Sequence, residues 1–403
     1  MNRKQLILLL AALAVIGGAG LVLLERNQKS WAESESQIGQ KLFKHYQVND
    51  IAAIDIKGDT DLALDRKDDG WHVRQRNNYP ANLTQIRELI IKMGDLKVVQ
   101  SDPIGESQLA RMHLAQPGKG PDSAILLEFK DAQGKPLQSL LLGKKHVHES
   151  ERPSPTPYGG EGFPDGRYVM LGSDPKTVLT ISDALDNVEP KAADWVNKDF
   201  FKLEKPRTVS FVSTNATNSW TVSRASESAP WVLAEPKAGE VLDTNKVASL
   251  SSTLSYPSFV DVAPDKTGLE KPLSVTIKTF DDFTYTLKIG QKTPENDYSF
   301  NVAVSADIPA ARTPGKDEKP DQKTKLDKEF QEKTKPLRDK LNKEKSLGQW
   351  TYLVNTWLVD PFIRDRAQLM VEKQTEKKEP AAAADSKSAP DAAEPDAIPN
   401  LPK

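Results

Sequence analysis

The chain has 403 residues, long enough for two domains or more, with 37% apolar residues, 28 prolines and no cysteine. Its 55 basic and 57 acidic side chains nearly cancel, so it lacks the basic excess with which a general nucleic-acid binder neutralises phosphates. The lack of cysteine excludes disulfides, thiolate metal sites, thiol catalysis and lipidation at an N-terminal cysteine.

The first expected element is a membrane anchor. Arg3 and Lys4 precede an uninterrupted apolar run from Leu6 to Leu24. At helical rise such a run covers about 28 Å, close to the roughly 30 Å hydrocarbon core of a bilayer. The leading positive charges keep the short end in the cytoplasm, which places the rest of the chain beyond the inner membrane on a single span. A cleaved signal peptide is the rival reading, but signal cores are shorter, about 7–15 residues, and Ser30-Trp31-Ala32 is a poor cleavage site. Residues 1–25 are read as anchor and 26–40 as linker.

A first module follows over 41–198. In "KLFKHYQVNDIAAIDIKGDTDLALDRKDDGWHV", Ile54 and Ile56 alternate in one strand, Leu62-Ala63-Leu64 form a second, and the turn Asp68-Asp69-Gly70 leads into a third at Trp71 and Val73. Asn77-Asn78-Tyr79-Pro80 breaks that strand, and Asn82 or Thr84 caps a helix carrying Ile86, Leu89, Ile90 and Met93. Then come "KVVQSDP", a hairpin ending in "LLLGKK", the strands of "GRYVMLGSDPKTVLTIS" and a closing helix in "SDALDNVEPKAADWVNK".

The same order recurs over 199–372. "DFFKLEKPRTVSFVSTNATNSWTVSRASESAPWVL" repeats the Phe-Lys element, a strand with Val209 and Phe211, a second strand at Trp220-Thr221-Val222, and Trp231 in the place of Trp71. "SFVDVAP" matches "KVVQSDP"; Leu269 matches Leu114, Pro272 matches Pro117, and Gly290 of "IGQK" matches Gly143 of "LGKK". "NDYSFNVAVSADIPAAR" aligns with "GRYVMLGSDPKTVLTIS". The pattern is a duplication, and each copy is an α+β unit with a mostly antiparallel sheet and packed helices. Trp71, Trp231, Gly143 and Gly290 are its structural anchors.

The second copy is interrupted at 313–348 by a highly charged stretch with Leu326, Phe330, Leu337 and Leu341 at helical spacing. Pro336 should kink or divide that helix. The thin apolar stripe reads as a solvated spur or as a face for a partner. A strand from Trp350 to Trp357 and a helix from Asp360 then resume the module. Residues 373–403, rich in Pro, Ala and alternating charge, are expected to be disordered.

A search for chemistry assigns no catalytic, metal or cofactor residue. His146 and His148 lie on one side of an extended chain beside Glu149 and Glu151, but zinc needs further ligands held in place; an exposed loop is the plainer reading. His45, His72 and His113 are scattered. "LGKK" has one glycine and no following helix to cradle a phosphate, and there is no GxSxG elbow.

The anchor, the repeated strand-Trp-turn-helix unit, and the motifs "FKHYQVNDIAAIDI", "DGWHVRQRNNYPANLTQIRELI", "LLLGKK", "GRYVML" and "LVDPFIRDRAQL" resemble the bacterial envelope family known as domain of unknown function four-three-four-zero. The resemblance implies a single-span protein facing the periplasm, often encoded beside ABC-transporter components of the gliding-motility type, and it brings no catalytic residues. The expected function is therefore a non-enzymatic accessory or scaffold protein of an ABC-transporter-like membrane complex, needing no cofactor. The alternative is a module that binds envelope polysaccharide in the cleft between the copies.

Overall fold

The computed structural model describes residues 38–147, 164–265, 267–315 and 318–371. The first module comprises β1 (Ala53–Lys57), β2 (Asp61–Lys67), β3 (Gly70–Val73), β4 (Tyr79–Pro80), α1 (Leu83–Asp95), β5 (Val98–Pro103), β6 (Ile125–Lys130), β7 (Pro136–Val147), β8 (Pro164–Leu171), β9 (Asp174–Ile181) and the single turn α2 (Ala192–Trp195). Its nine strands pair antiparallel in the order β4-β3-β2-β1-β6-β7-β8-β9-β5. Between edge strands β4 and β5, α1 buries Ile86, Leu89, Ile90 and Met93, the i, i+3, i+4, i+7 stripe of an amphipathic helix. The Asn82 side chain caps it by accepting from the Gln85 N–H at 3.3 Å; Thr84 lies inside the helix.

The second module comprises β10 (Pro206–Val212), β11 (Trp220–Ser223), β12 (Val232–Leu233), α3 (Thr244–Thr253), β13 (Asp261–Val262), β14 (Leu273–Thr279), β15 (Phe283–Lys292), β16 (Tyr298–Ala306), α4 (Pro320–Lys345), β17 (Tyr352–Val354) and α5 (Thr356–Val359). Its eight strands run β12-β11-β10-β14-β15-β16-β17-β13. Substituting β10 for β1 and continuing in chain order reproduces the first sheet strand by strand, with only β4 lacking a counterpart. The duplication extends to single bonds. The residue before α1, Asn82, donates its N–H to the Trp195 carbonyl at 2.7 Å, and Asp243 before α3 donates to Leu369 at 2.9 Å. Asn197 donates to Pro80 and Val371 to Val241 in the same way. These bonds place Asn197 with Val371 and Tyr79 with Glu240.

The paired glycines mark a shared close approach. A Cβ on Gly143 in β7 would strike the Met112 carbonyl and lie 2.8 Å from the Leu114 side chain. A Cβ on Gly290 in β15 would strike the Gly268 carbonyl and lie 3.1 Å from Leu269. In both modules, then, the loop before β6 or its counterpart β14 crosses so near β7 or β15 that no side chain fits. Trp71 and Trp231 are both 9% exposed and belong to the core.

Five expectations are corrected. The closing segment of the first module is not one long helix: Leu185 adopts φ 49 and Pro190 precedes the single turn α2, so the chain cannot wind continuously. Pro336 does not divide α4, which is one helix of 26 residues. The strand does not run from Trp350 to Trp357 and no helix begins at Asp360: β17 is Tyr352–Val354, Trp357 lies in α5, which ends at Val359 before Pro361, and a 3-10 turn at Arg366–Leu369 follows. The counterpart of β9 is β17, because the tight turn at Gly172-Ser173 is replaced in the second module by residues 307–351. No described helix is long and apolar enough to cross a membrane; the run from Leu6 to Leu24, His148 and the tail beyond Val371 lie outside the described residues.

Candidate functional site

The two modules meet edge to edge. The chain leaves the first module beside β4, at Asn197, and enters the second through Phe200 and Phe201. Tyr79 of β4 inserts its ring among aromatics of the second module, with centroids 4.9 Å from Trp350, 5.9 Å from Phe259 and 6.0 Å from Tyr352, all edge to face. Burial pushes the Tyr79 phenol up to about 12. Arg76 grips Asp261 with two parallel bonds, Nε to Oδ1 at 2.9 Å and Nη2 to Oδ2 at 2.7 Å. Both side chains are mostly buried, at 19% and 14% exposure, so the pair is poorly screened. Asn77 Nδ2 donates to the Pro264 carbonyl at 2.9 Å. Lys198 Nζ donates to the Val260 carbonyl at 2.6 Å and lies 5.0 Å from the Phe259 ring. Its pKa is lowered by burial, against the pull of Asp261.

Beside this contact is an open cleft of about 760 Å³ lined from both modules: Lys67, Asp69, His72, Asn77, Asn78 and Pro80 on one side, Pro264, Asp265, Ser346, Gln349 and Trp350 on the other. Asn77 and Asn78 are successive residues in the left-handed region, at φ 53 and 54, a conformation that costs non-glycine residues free energy even though asparagine tolerates it best. His72 is 6% exposed. Its Nε2 is 3.4 Å from Asp69 Oδ2, and its buried Nδ1 has no partner among the described residues. A second cavity, of about 580 Å³, is lined by Glu88, Asp186, Glu189, Asp194 and Lys198 among others; there Asp186 pairs with Lys145 and Glu189 with Lys191.

The histidines do not converge. His146 Nδ1 meets Asp165 Oδ1 at 2.7 Å, His113 lies 3.6 Å from Asp122, and His45 is exposed. Among the described residues no group of three or more His, Asp or Glu is placed to hold a metal. Along α4, Leu337 and Leu341 pack on the core, Phe330 is half-buried, and Leu326 is 38% exposed. Sequence reasoning missed the junction residues. Asn77-Asn78-Tyr79-Pro80 was legible as a strand break, but a Tyr in a break carries no mark of the ring cluster it enters.

Residues 71–272, about half of the chain, match the family described as Domain of unknown function (DUF4340). The chain belongs to this family. The DUF4340 match opens at Trp71 in β3 and closes at Pro272, before β14. It is thus not a copy of either module: it spans the joint, taking in Arg76, Tyr79, Lys198, Phe259 and Asp261. No curated protein and no solved structure matches the chain.

Proposed function

We propose that this DUF4340 protein is a non-enzymatic accessory or scaffold protein, held by one N-terminal span in a bacterial inner membrane, with its two modules in the periplasm as one stiff body for an ABC-transporter-like complex. The observation that carries the reading is the joint. Each module is entered beside one edge of its sheet, where Gly39 and Leu42 bond to Val98 and Leu96 and where Leu203 bonds to Leu254. Each is left beside the other edge, and the exit edge of the first is clamped to the entry edge of the second by a bidentate ion pair and an aromatic plug. Two like bodies joined in this sense set the direction of the chain away from its tether. The apolar run Leu6–Leu24 supports the tether, and family resemblance supports the transporter setting. The test is affinity purification of the tagged full chain from detergent-solubilised membranes. The expected result is stoichiometric recovery of an ATPase and a permease subunit; recovery of no membrane protein overturns the reading.

A further inference from the structure

The geometry points to an oligosaccharide-binding site in the cleft between the modules, walled by Asp69, His72, Asn78, Asp265, Gln349 and Trp350. The cleft's volume of about 760 Å³ falls within the roughly 300–1,000 Å³ usual for ligand sites.

The two modules share one strand order, so what one copy needs to fold the other needs too. Strand register makes Val232 of β12 the second module's equivalent of His72 in β3, and Thr177 of β9 the first module's equivalent of Trp350 before β17. The module therefore folds without either side chain. Even so, the first copy buries an imidazole whose Nδ1 finds no partner among the described residues, which is destabilising in general. It also holds Asn77 and Asn78 left-handed in succession, and no other two adjacent non-glycine residues among those described do so. Three departures from the module's own pattern thus meet at one cleft; Trp350 and Asn77 also serve the joint, through Tyr79 and Pro264, whereas the buried His72 imidazole does not.

Its chemistry selects among ligands. One lysine faces two carboxylates, Asp69 and Asp265, so a phosphate-rich ligand would meet repulsion. The amides of Asn78 and Gln349, the Ser346 hydroxyl and the carboxylates offer both donors and acceptors, as sugar hydroxyls require. Trp350, half-buried and braced edge to face by Tyr79, adds an aromatic surface for the C–H face of a pyranose. The open shape suits a segment of chain.

The site does not depend on the scaffold reading. Its test uses purified full chain in detergent, titrated calorimetrically with a β-1,4-linked N-acetylglucosamine tetramer, an α-1,4-linked glucose tetramer and inorganic phosphate. One of the sugars is expected to bind at millimolar concentration or below. The double variant Asp265→Asn/Gln349→Ala, altering two exposed side chains, should weaken it about tenfold with an unchanged melting midpoint; Trp350→Phe, which keeps a ring beside Tyr79, should weaken it as well. Three results overturn the proposal: neither sugar binding, sugar binding that the double variant leaves intact, or phosphate competing with the sugar. Failure to purify transporter subunits would leave the titration unaffected, so the two readings fail separately.

Discussion

Gly290 and Gly143 occupy one position written twice, but the space around them differs. At Gly290 the obstacle to a Cβ is the Gly268 backbone, fixed by a 2.9 Å bond from the Gln291 N–H to the Gly268 carbonyl. At Gly143 part of the obstacle is the Leu114 side chain, which can turn aside. Overpacking typically costs about 1–3 kcal/mol. Gly290→Ala, with a carbonyl nearer still, should therefore reach or exceed the top of that range, and Gly143→Ala, which still meets the Met112 carbonyl, should fall lower within it, as read by urea denaturation. Equal effects would contradict the difference in surroundings.

Glu240 stands where the first module has Tyr79, and its carboxylate is bonded by Arg366 at 2.8 Å and by the Lys237 N–H. The Arg366 guanidinium, with help from that amide, holds its pKa down to about 2. A carboxylate depressed in the fold stabilises it above the ordinary pKa of about 4.3, and that contribution fades as pH falls toward the depressed value. The protection factor of the Val371 amide, bonded to Val241 next door, should fall between pH about 4.5 and about 2 once the intrinsic pH dependence of exchange is divided out. Glu240→Gln should flatten the profile; an unchanged profile would mean that this ion pair does not hold the closing segment. The tryptophans and glycines were legible because each sits at a fixed step from a strand pattern that recurs. Arg76 and Asp261 were not: they are 185 residues apart, and neither has a local neighbour that marks it for burial.

At the scale of elements, α4 is the clearest divergence between sequence and structure. Proline inside a helix removes one hydrogen bond and crowds the preceding turn, at about 3 kcal/mol or more, which argued for two pieces. The helix holds because it is tied on both sides of Pro336. Before it, Asp327 accepts from Arg312 at 2.9 Å. After it, Arg338 donates to the Pro309 carbonyl, Lys340 to Lys202 and Glu204, and Lys343 to Asp199. The apolar spacing announced a helix, but these ties, which decide its continuity, come from residues distant in sequence. Glu344 completes the docking: buried at 4% exposure, it accepts from the Lys202 N–H at 3.0 Å and the Tyr285 hydroxyl at 2.8 Å.

Burial raises the Glu344 pKa above its ordinary value, so the folded chain holds this proton more tightly than the unfolded one. The group then favours folding at low pH and loses that advantage as pH rises from about 4.3 through its raised value. Glu344→Gln, which keeps an acceptor and cannot ionise, should remove this falling limb and leave α4 docked at neutral pH. Glu344→Ala leaves the Lys202 N–H unpartnered, while the Tyr285 hydroxyl keeps the Lys202 carbonyl at 3.3 Å, and it should cost about 1–3 kcal/mol. Thermal unfolding of both variants across acid to neutral pH would check the pair. If Glu344→Gln is as damaging as Glu344→Ala, the carboxylate's charge matters more than its burial.

For the whole molecule, the question is whether two modules behave as one body. The shared strand order was legible in the recurrence of Trp, Pro and Gly; the manner of joining was not, because the second module lacks β4 and so presents no second Tyr79 to compare. A partly buried, bidentate ion pair resists loss of one partner, typically by about 2–5 kcal/mol, and the Tyr79 ring adds contact with three aromatics. The chain has no native cysteine, so spin labels can be placed at the exposed Val99 and Val241 without competition. Pulsed dipolar spectroscopy of that pair should give one narrow distance distribution in the parent chain. Arg76→Ala should broaden it, and Arg76→Ala/Tyr79→Ala more so, while far-ultraviolet circular dichroism stays unchanged because neither side chain takes part in the strand pairing of either sheet. A broad distribution in the parent would mean two bodies hinged at Lys198, and the stiff scaffold would have to be abandoned. The cleft beside the joint would open and close with them, so sugar affinity in the Arg76→Ala variant should fall with the broadening.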